Sequence, residues 1–369
     1  MAAGRWAWAT VLATVVGMAV AATLAPPATA APGAGLAWVL FLGSSVHVAA
    51  TGWLLTVPGV RRYAGSRPAR YLWIPATLAL GAVGLAVVLS PAAMAWVLLP
   101  YFCWQLLHFQ KQNLGLAALA ATAHGAGSLT APERRALLGA GMAGTAAVVA
   151  RPELLQLHLT VGNWAVGAGA VGRGAVWSGS LFALAVVGFA MAVAAGLRRL
   201  WRRPAGRRPA PFVALYLMGL LFFLPVFLTG SPYAAVGALT VAHGLQYLLL
   251  VGLVAGGERH DPARRLLAVA VLSAVALVGG VALVAASHLH GGSAPLRLLF
   301  GAYLGVVLAH FVVDGGLWRL RDPFPRAFLS ARLPWLIGPG APVPARATPL
   351  PAPAAPFTDR SVPDIGCVG

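Results

Sequence analysis

The chain has 369 residues, of which 59% are hydrophobic and 9% charged, and its mean hydropathy is +0.81. Soluble domains contain about 25% charged and 45–50% apolar residues, so the composition excludes an ordinary soluble enzyme. The net charge of +18 raises the question of nucleic acid, but the arginines lie in short clusters between long apolar runs. That pattern is typical of a polytopic membrane protein, so we expect membrane lipid and no nucleic acid as a partner. Two cysteines, Cys103 and Cys367, imply no disulfide framework.

Ten apolar stretches are candidates to cross a bilayer core about 30 Å thick as helices. They are 6–25, 34–57, 71–90, 92–123, 137–150, 175–197, 210–229, 232–256, 266–287 and 297–318. The fifth is short, Pro100 is expected to kink the fourth, and the stretch 151–174 is either re-entrant or interfacial. The sequence therefore predicts an all-α, polytopic transmembrane helical bundle of about ten spans within residues 1–336.

The arginines also predict the orientation of the chain. They cluster in the connections after spans two, four, six and eight and after the last span, whereas the opposite connections carry Arg151, Arg173 and Arg297. The positive-inside rule then places both termini of a multi-pass cell-membrane protein in the cytoplasm. The Pro- and Ala-rich tail, 337–369, is expected to be disordered there. Span 6–25, followed by Ala28-Thr29-Ala30, is alternatively a cleaved secretory signal.

Four of the nine histidines lie deep in predicted spans: His47, His108, His243 and His310. Their spans are all even-numbered and run in one direction, and the histidines lie at similar positions along them, so the imidazoles are expected at one depth. Polar residues inside a membrane are costly and face a bundle interior or a cavity, and imidazole is the commonest metal ligand. The four histidines are therefore predicted to form a shared metal or haem site. The alternatives are a proton or substrate pathway and structural packing.

Polar residues lie three or four positions from each of these histidines and so share its helical face. They are Thr51, Gln105, Lys111, Gln112, Gln246, Tyr247 and Asp314. Metal-bound histidine usually donates its second N–H to such a partner. Gln112, Gln246 and Asp314 are predicted to orient the ligands or to activate bound water or oxygen, and the same side chains would also suit a polar substrate cavity.

Lys111 and Asp314 are the only lysine and the only acid predicted inside a span or at its edge. One interpretation pairs them as part of the functional site, since isolated charges at depth are expensive. The other extends Lys111 to the inner interface and places Asp314 at the end of the last span.

The set His47, His108, His243 and His310 resembles, in plan, the bacterial membrane carotene-cleaving dioxygenases of the Brp/Blh type. That family binds iron through intramembrane histidines in a compact helical bundle, so the resemblance implies an iron ligand set here. The chain departs from the family because it has no intramembrane H-x-x-x-H, the arrangement that puts two ligands on one helix. A second resemblance, to proteins such as haem A synthase that hold haem between paired histidines, keeps haem as an alternative.

The leading hypothesis is a metal-dependent membrane oxidoreductase that acts on a lipid-soluble substrate, with a redox metal, iron as the first choice, held by the four histidines. The competing hypothesis is a transporter or channel in which the histidines and Asp314 relay protons or bind a solute in transit. A third is a scaffold in which the polar layer only joins helices.

Overall fold

A computed structural model describes residues 2–27, 31–157, 159–161, 164–166, 173–257 and 262–337. The predicted signal-cleavage site at 28–30 and the tail from 338 onward lie outside the described residues. The α-helices are α1 (Ala2–Thr23), α2 (Ala34–Phe41), α3 (His47–Leu54), α4 (Pro58–Gly65), α5 (Ile74–Val88), α6 (Pro91–Ala123), α7 (Ala131–Ala150), α8 (Arg173–Trp201), α9 (Ala210–Leu221), α10 (Leu224–Leu228), α11 (Ala238–Gly256), α12 (Pro262–Ser287), α13 (Ala294–Leu317), α14 (Pro323–Arg332) and α15 (Pro334–Ile337).

Shorter elements extend or join these helices. π-Helical turns precede α3, α5 and α11 at Leu42–Val46, Ala69–Trp73 and Tyr233–Gly237, and 3-10 turns occur at Pro152–Leu155 and Ala205–Arg207. Two three-residue strands, β1 (Leu159–Val161) and β2 (Trp164–Val166), pair antiparallel with Leu159 opposite Val166. They lie in the stretch that the sequence left ambiguous. The predicted all-α bundle is confirmed.

Among the described residues, eight helices are long and apolar enough to cross a membrane, against the ten predicted. They are Ala2–Thr23, Ala34–Leu54, Ala69–Val88, Pro91–Ala123, Ser178–Trp201, Tyr233–Gly256, Pro262–Ser287 and Ala294–Leu317. Each coincides with one predicted span, and Pro91–Ala123 continues through Pro100. The chain is thus a multi-pass membrane protein by the length and composition of its helices.

The other two predicted spans are helical but shorter. α7 has charged residues at Glu133, Arg134 and Arg135, which leaves an apolar length of about 22 Å at 1.5 Å per residue. The predicted span 210–229 is broken at Phe222 and Phe223 between α9 and α10. Pro225 contributes to the break because it has no N–H to donate to the preceding turn. Both short helices lie between the spans of His108 and His243, so omitting both leaves the predicted common direction of the histidine helices unchanged.

The centre of the bundle is α11. In the most apolar stretch of Tyr233–Gly256, which contains α11, 72% of the residues are buried. The corresponding share in Ala69–Val88, whose large side chains face outward, is 11%. α1 packs along α11, α12 packs on α3 and α11, and α13 packs on α5. α6 packs mainly on α7 and α9. The exposed apolar surface of the outer helices suits lipid, while the polar side chains inside are enclosed by helices.

A buried ion pair fastens the end of α8 to the start of α7. Arg203 Nε lies 2.5 Å from Glu133 Oε1, and Arg203 Nη2 lies 2.7 Å from Oε2. Thr130 donates to Glu133 Oε2 through its backbone N–H and its hydroxyl in a capping box. Burial alone would raise the pKa of the Glu133 carboxyl, but the hydrogen bonds from Arg203 and Thr130 outweigh it and hold that pKa below its usual range.

Arg203→Gln is expected to lower the free energy of unfolding by about 3 kcal/mol at neutral pH, because it leaves the buried Glu133 carboxylate without its cation. The control is Arg202→Gln at the exposed neighbouring position, with an expected effect within about 0.5 kcal/mol. Glu133 has a lowered pKa, so the penalty is present above the unfolded-state value of about 4.3 and is lost as the pH falls through the folded-state value. Denaturant unfolding in mixed micelles at neutral and acidic pH measures both variants, and a penalty unchanged in acid would contradict the ionic explanation.

Candidate metal centre

Four helices each contribute one buried imidazole to the bundle interior. His47 is the first residue of α3, His108 lies in α6, His243 in α11 and His310 in α13. Each of these residues is at most 8% exposed. The four residues together are called the histidine cluster below.

A close helix crossing brings His47 and His243 together. A Cβ atom on Gly244 would lie 2.2 Å from the Gly43 carbonyl oxygen, and one on Gly43 would lie 2.5 Å from the Val241 Cα. Glycine is therefore required on both sides for the two backbones to approach this closely. Gly43 belongs to the π-helical turn directly before His47, and such turns often occur at functional sites because they displace the following side chains around the helix.

The histidine cluster forms a closed cycle of neighbours. The ring centroids of His47 and His243 are 4.9 Å apart, those of His243 and His108 are 5.1 Å apart, those of His108 and His310 are 5.2 Å apart, and those of His310 and His47 are 5.1 Å apart. Two imidazoles that bind one ion through nitrogens at about 2.1 Å have centroids about 4.5 Å apart at a ligand angle of 90° and about 5.2 Å apart at a tetrahedral angle. The spacing of neighbours in the cycle therefore suits ligands of one ion, and the ligand atoms that lie within 4.8 Å of one another form two sets that share His310: His47, His243 and His310, and His108, His310 and Asp314.

Each imidazole in the histidine cluster has at least one buried ring nitrogen that makes no hydrogen bond within the described part of the chain. These are both nitrogens of His47 and His243 and the Nε2 atoms of His108 and His310. The preceding carbonyls of Gly43 and Ser44 interact with His47 without hydrogen-bond geometry. An unsatisfied buried polar atom costs about 1–3 kcal/mol. One ion bound by all four imidazoles would take one nitrogen from each ring, so it would account for four of these six atoms.

Phenylalanine rings cover two members of the cluster. Phe109 stacks on His243 with centroids 4.2 Å apart, and Phe311 lies 4.7 Å from His108. Both phenylalanines are almost fully buried. These contacts limit the rotation of the imidazoles and shield them from polar solvent, so the orientation of the rings is defined by packing.

Asp314 lies beside the cluster, as the sequence predicts, and three helices supply its partners. Tyr247 donates from its hydroxyl to Asp314 Oδ1 at 3.0 Å. Thr51 Oγ1 lies 2.7 Å from the Tyr247 hydroxyl and 2.7 Å from His310 Nδ1. Asp314 Oδ2 is 3.6 Å from His310 Nε2. Thr51 and Tyr247 stand out in the sequence only by their four-residue offset from His47 and His243.

Gln112 and Gln246 form a separate amide network. Gln112 Nε2 donates to the His243 carbonyl at 3.1 Å and to Gln246 Oε1 at 2.9 Å. Gln246 Nε2 in turn donates to Thr14 Oγ1 and to Asn113 Oδ1. These contacts join α1, α6 and α11 next to the cluster through the backbone of His243. The predicted roles of the two glutamines in orienting ligands or activating water stay predictions.

Lys111 is exposed, and no ion pair joins it to Asp314 among the residues that the structure describes. The helix turns its side chain away from the buried neighbours His108 and Gln110. This placement corresponds to the interpretation in which Lys111 extends to the interface, and the catalytic role predicted for it stays untested.

A narrow pocket reaches the cluster at His47 between the π-helical turn, α6 and α13. Its lining includes Ser44, Ser45, His47, Val48, Tyr101, Gln105, Phe109, Tyr303, Val307 and Phe311. Most of these side chains are apolar or aromatic, and the serines and Gln105 add a few polar groups. The cluster is therefore approached on this side through a lining that mixes apolar and aromatic side chains with polar groups.

Comparisons with protein-family models, with curated proteins and with solved structures found no match to the chain.

Gly244→Ala is expected to lower the free energy of unfolding by about 1–3 kcal/mol, because the added methyl group meets backbone atoms that cannot rotate away. Gly252→Ala on the same helix is the matched control, since a Cβ there has no neighbour within 4 Å. The control is expected to be neutral or to stabilise by up to about 1 kcal/mol through helix propensity. Equal unfolding midpoints for the two variants in detergent would argue against the close crossing.

Proposed function

We propose that this multi-pass membrane protein is a metal-dependent oxidoreductase, that its histidine cluster holds one transition-metal ion, and that its substrate is lipid-soluble. The carrying observation is the cycle of four buried imidazoles at 4.9–5.2 Å with ring nitrogens that lack hydrogen bonds. Packing alone would favour apolar side chains at these positions, because each buried polar atom needs a partner.

Iron is the proposed metal because a carboxylate stands among the imidazoles. His108, His310 and Asp314 each offer one ligand atom within 4.8 Å of the other two, and two imidazoles with one carboxylate are the donor set of non-haem iron oxygenases. Ligand atoms about 2.1 Å from one ion are about 3.0 Å apart at the 90° angle of a facial set and about 3.4 Å apart at a tetrahedral angle, so the 3.6 Å between His310 Nε2 and Asp314 Oδ2 is slightly wider than ligation of one ion requires. Bound iron would supply a redox centre and a Lewis acid.

The spacing of the rings favours an ion over haem. Imidazoles on opposite faces of one haem iron have centroids about 6.4 Å apart, with the porphyrin plane between them. In the histidine cluster every imidazole has two neighbours within 5.2 Å. A macrocycle between these rings would require the helices to separate.

The surroundings of the cluster support a lipid-soluble substrate. The pocket beside His47 is formed mainly by apolar and aromatic side chains, among them Phe109, Val307 and Phe311. The outer faces of the bundle are apolar as well. The aromatic and aliphatic side chains of the pocket would contact the apolar part of such a substrate, and Ser45 and Gln105 would offer hydrogen bonds to a polar group on it.

Proton or ion passage is the second candidate, and the hydrogen-bonded chain from Asp314 through Tyr247 and Thr51 to His310 favours it. Buried chains of this kind carry protons in pumps and transporters. Flux of protons or divalent ions into vesicles that contain the purified protein separates the candidates. Flux that His310→Ala abolishes would support passage, and vesicles no more permeable than protein-free ones would contradict it.

The purified wild-type protein is expected to contain about one transition-metal ion per chain, and His243→Ala and His310→Ala are expected to lose most of it. His290→Ala is the control, since His290 is an exposed residue outside the cluster. Elemental analysis gives the metal content, and an absorption spectrum tests for haem. Removing the ion with a chelator should lower the thermal midpoint of the wild type, because an ion that binds only the folded state stabilises it.

Two results would contradict this proposal. One is a wild-type protein that stays metal-free after supplementation with iron, copper and zinc. The other is a pair of cluster variants that keep the full metal content and the chelator sensitivity of the wild type.

A further inference from the structure

The partner of the His310 Nδ1 atom comes from another helix. Asp314 follows His310 by one turn of α13, but the 2.7 Å contact of Nδ1 is with Thr51 Oγ1 on α3. Thr51 also lies 2.7 Å from the hydroxyl of Tyr247 on α11, and Tyr247 lies 3.0 Å from Asp314 Oδ1. All four side chains are buried. The chain therefore links three of the four helices that carry the histidine cluster.

The direction of each hydrogen bond follows from the number of hydrogens available. When Asp314 is ionised, as a metal ligand must be, its carboxylate only accepts, so Tyr247 donates its one hydroxyl hydrogen to Asp314. Thr51 must then donate its own hydrogen to the Tyr247 oxygen. Its contact with Asp314 Oδ1, at 3.5 Å, is too long to compete. Thr51 has no hydrogen left for His310, so the Nδ1–H of His310 donates to Thr51.

We propose that Thr51 and Tyr247 are positioning residues that hold His310 in the tautomer with hydrogen on Nδ1, so that Nε2 is the ligand atom. The proposal rests on the proposed function, since it assigns a ligand atom to that metal site. His310 Nε2 makes no hydrogen bond in the described bundle and faces Asp314 Oδ2 at 3.6 Å. The same chain holds Asp314 by Oδ1 and leaves Oδ2 on the side of Nε2.

Thr51→Val removes the acceptor for His310 Nδ1 with almost no change in side-chain volume. Residues that orient a metal-bound histidine typically change metal affinity 10- to 100-fold when replaced, so we expect a loss of about that size. Thr51→Ser keeps the hydroxyl and is expected to restore affinity to within a few-fold of the wild type. Tyr247→Phe frees the Thr51 hydrogen for His310 Nδ1 and is expected to lower affinity about tenfold.

Thr145→Val is the matched control, because it is the same substitution at a buried helical threonine whose hydroxyl bonds to the Gly141 carbonyl of its own helix. We expect wild-type affinity for iron(II) and cobalt(II) in this variant. A structural effect of removing a buried hydroxyl would appear in both valine variants. An effect on His310 would appear only in Thr51→Val.

A second readout needs no metal. In metal-free protein labelled with 15N-histidine, at an alkaline pH at which Asp314 is ionised, protonated and bare ring nitrogens give well-separated NMR signals, and His310→Gln identifies those of His310. We expect protonated Nδ1 and bare Nε2 in the wild type, in Thr51→Ser and in Thr145→Val. In Thr51→Val and Tyr247→Phe we expect a mixture of tautomers. Thr51→Val removes the hydrogen bond that selects one tautomer, and Tyr247→Phe allows Thr51 either to donate to His310 Nδ1 or to accept from it.

The outcomes distinguish this proposal from the proposed function. Wild-type metal binding together with unchanged affinity and tautomer in Thr51→Val would overturn the positioning role alone. A wild type that binds no iron or cobalt would overturn the metal site and the positioning role with it. Loss of affinity and a tautomer mixture in Thr51→Val, both restored by Thr51→Ser, are the results we expect.

Discussion

The close backbone contact between Gly43 and Gly244 is the constraint on which the interior of this bundle depends. It fixes the distance between the turn before His47 and the central helix α11, and it therefore fixes the 4.9 Å separation of His47 and His243. Side chains at these positions would move the imidazoles beyond the spacing of ligands on one ion. The polar site thus rests on two residues that have no polar side chain.

A second layer lies one helical turn from the histidine cluster. The residue four positions after each histidine belongs to it: Thr51, Gln112, Tyr247 and Asp314. Three of these form the chain that ends at His310, and Gln112 bonds instead to the backbone of α11 and to Gln246. In a bilayer, water cannot satisfy these groups, so their hydrogen bonds must be made between helices. The layer consequently holds the helices of the cluster in one relative arrangement.

The sequence predicts much of this because lipid makes polar residues conspicuous. Apolar composition locates the helices, and the four deep histidines follow from their similar positions along them. The two span predictions that fail do so for local reasons: the charged start of α7 and the break before Pro225. The position of a residue along its span reveals neither the rotation of the helix about its axis nor the helices that it contacts.

The rotation of each helix and the helices that it contacts determine how the individual residues are arranged. The offset of four residues places Asp314 near His310, but the Nδ1 partner is Thr51, because α3 and α13 meet at this level. Lys111 follows His108 by three positions, an offset that favours a shared helical face, yet its side chain is exposed, while those of His108 and Gln110 are buried. A pairwise contact between helices depends on both rotations at once, and one sequence without its tertiary structure fixes neither.

The charges of the site explain why Asp314 and the histidine cluster belong together. Glu133, the other buried carboxylate in the described chain, has the guanidinium of Arg203 at 2.5 Å. Asp314 faces an imidazole, which is neutral unless it is protonated. A buried carboxylate is stabilised by a nearby positive charge. A divalent ion among four neutral imidazoles would in turn have no negative charge nearby to offset its own. An ion beside Asp314 would meet both requirements, because the carboxylate reduces its net charge to +1 and the ion replaces the cation that Glu133 obtains from arginine.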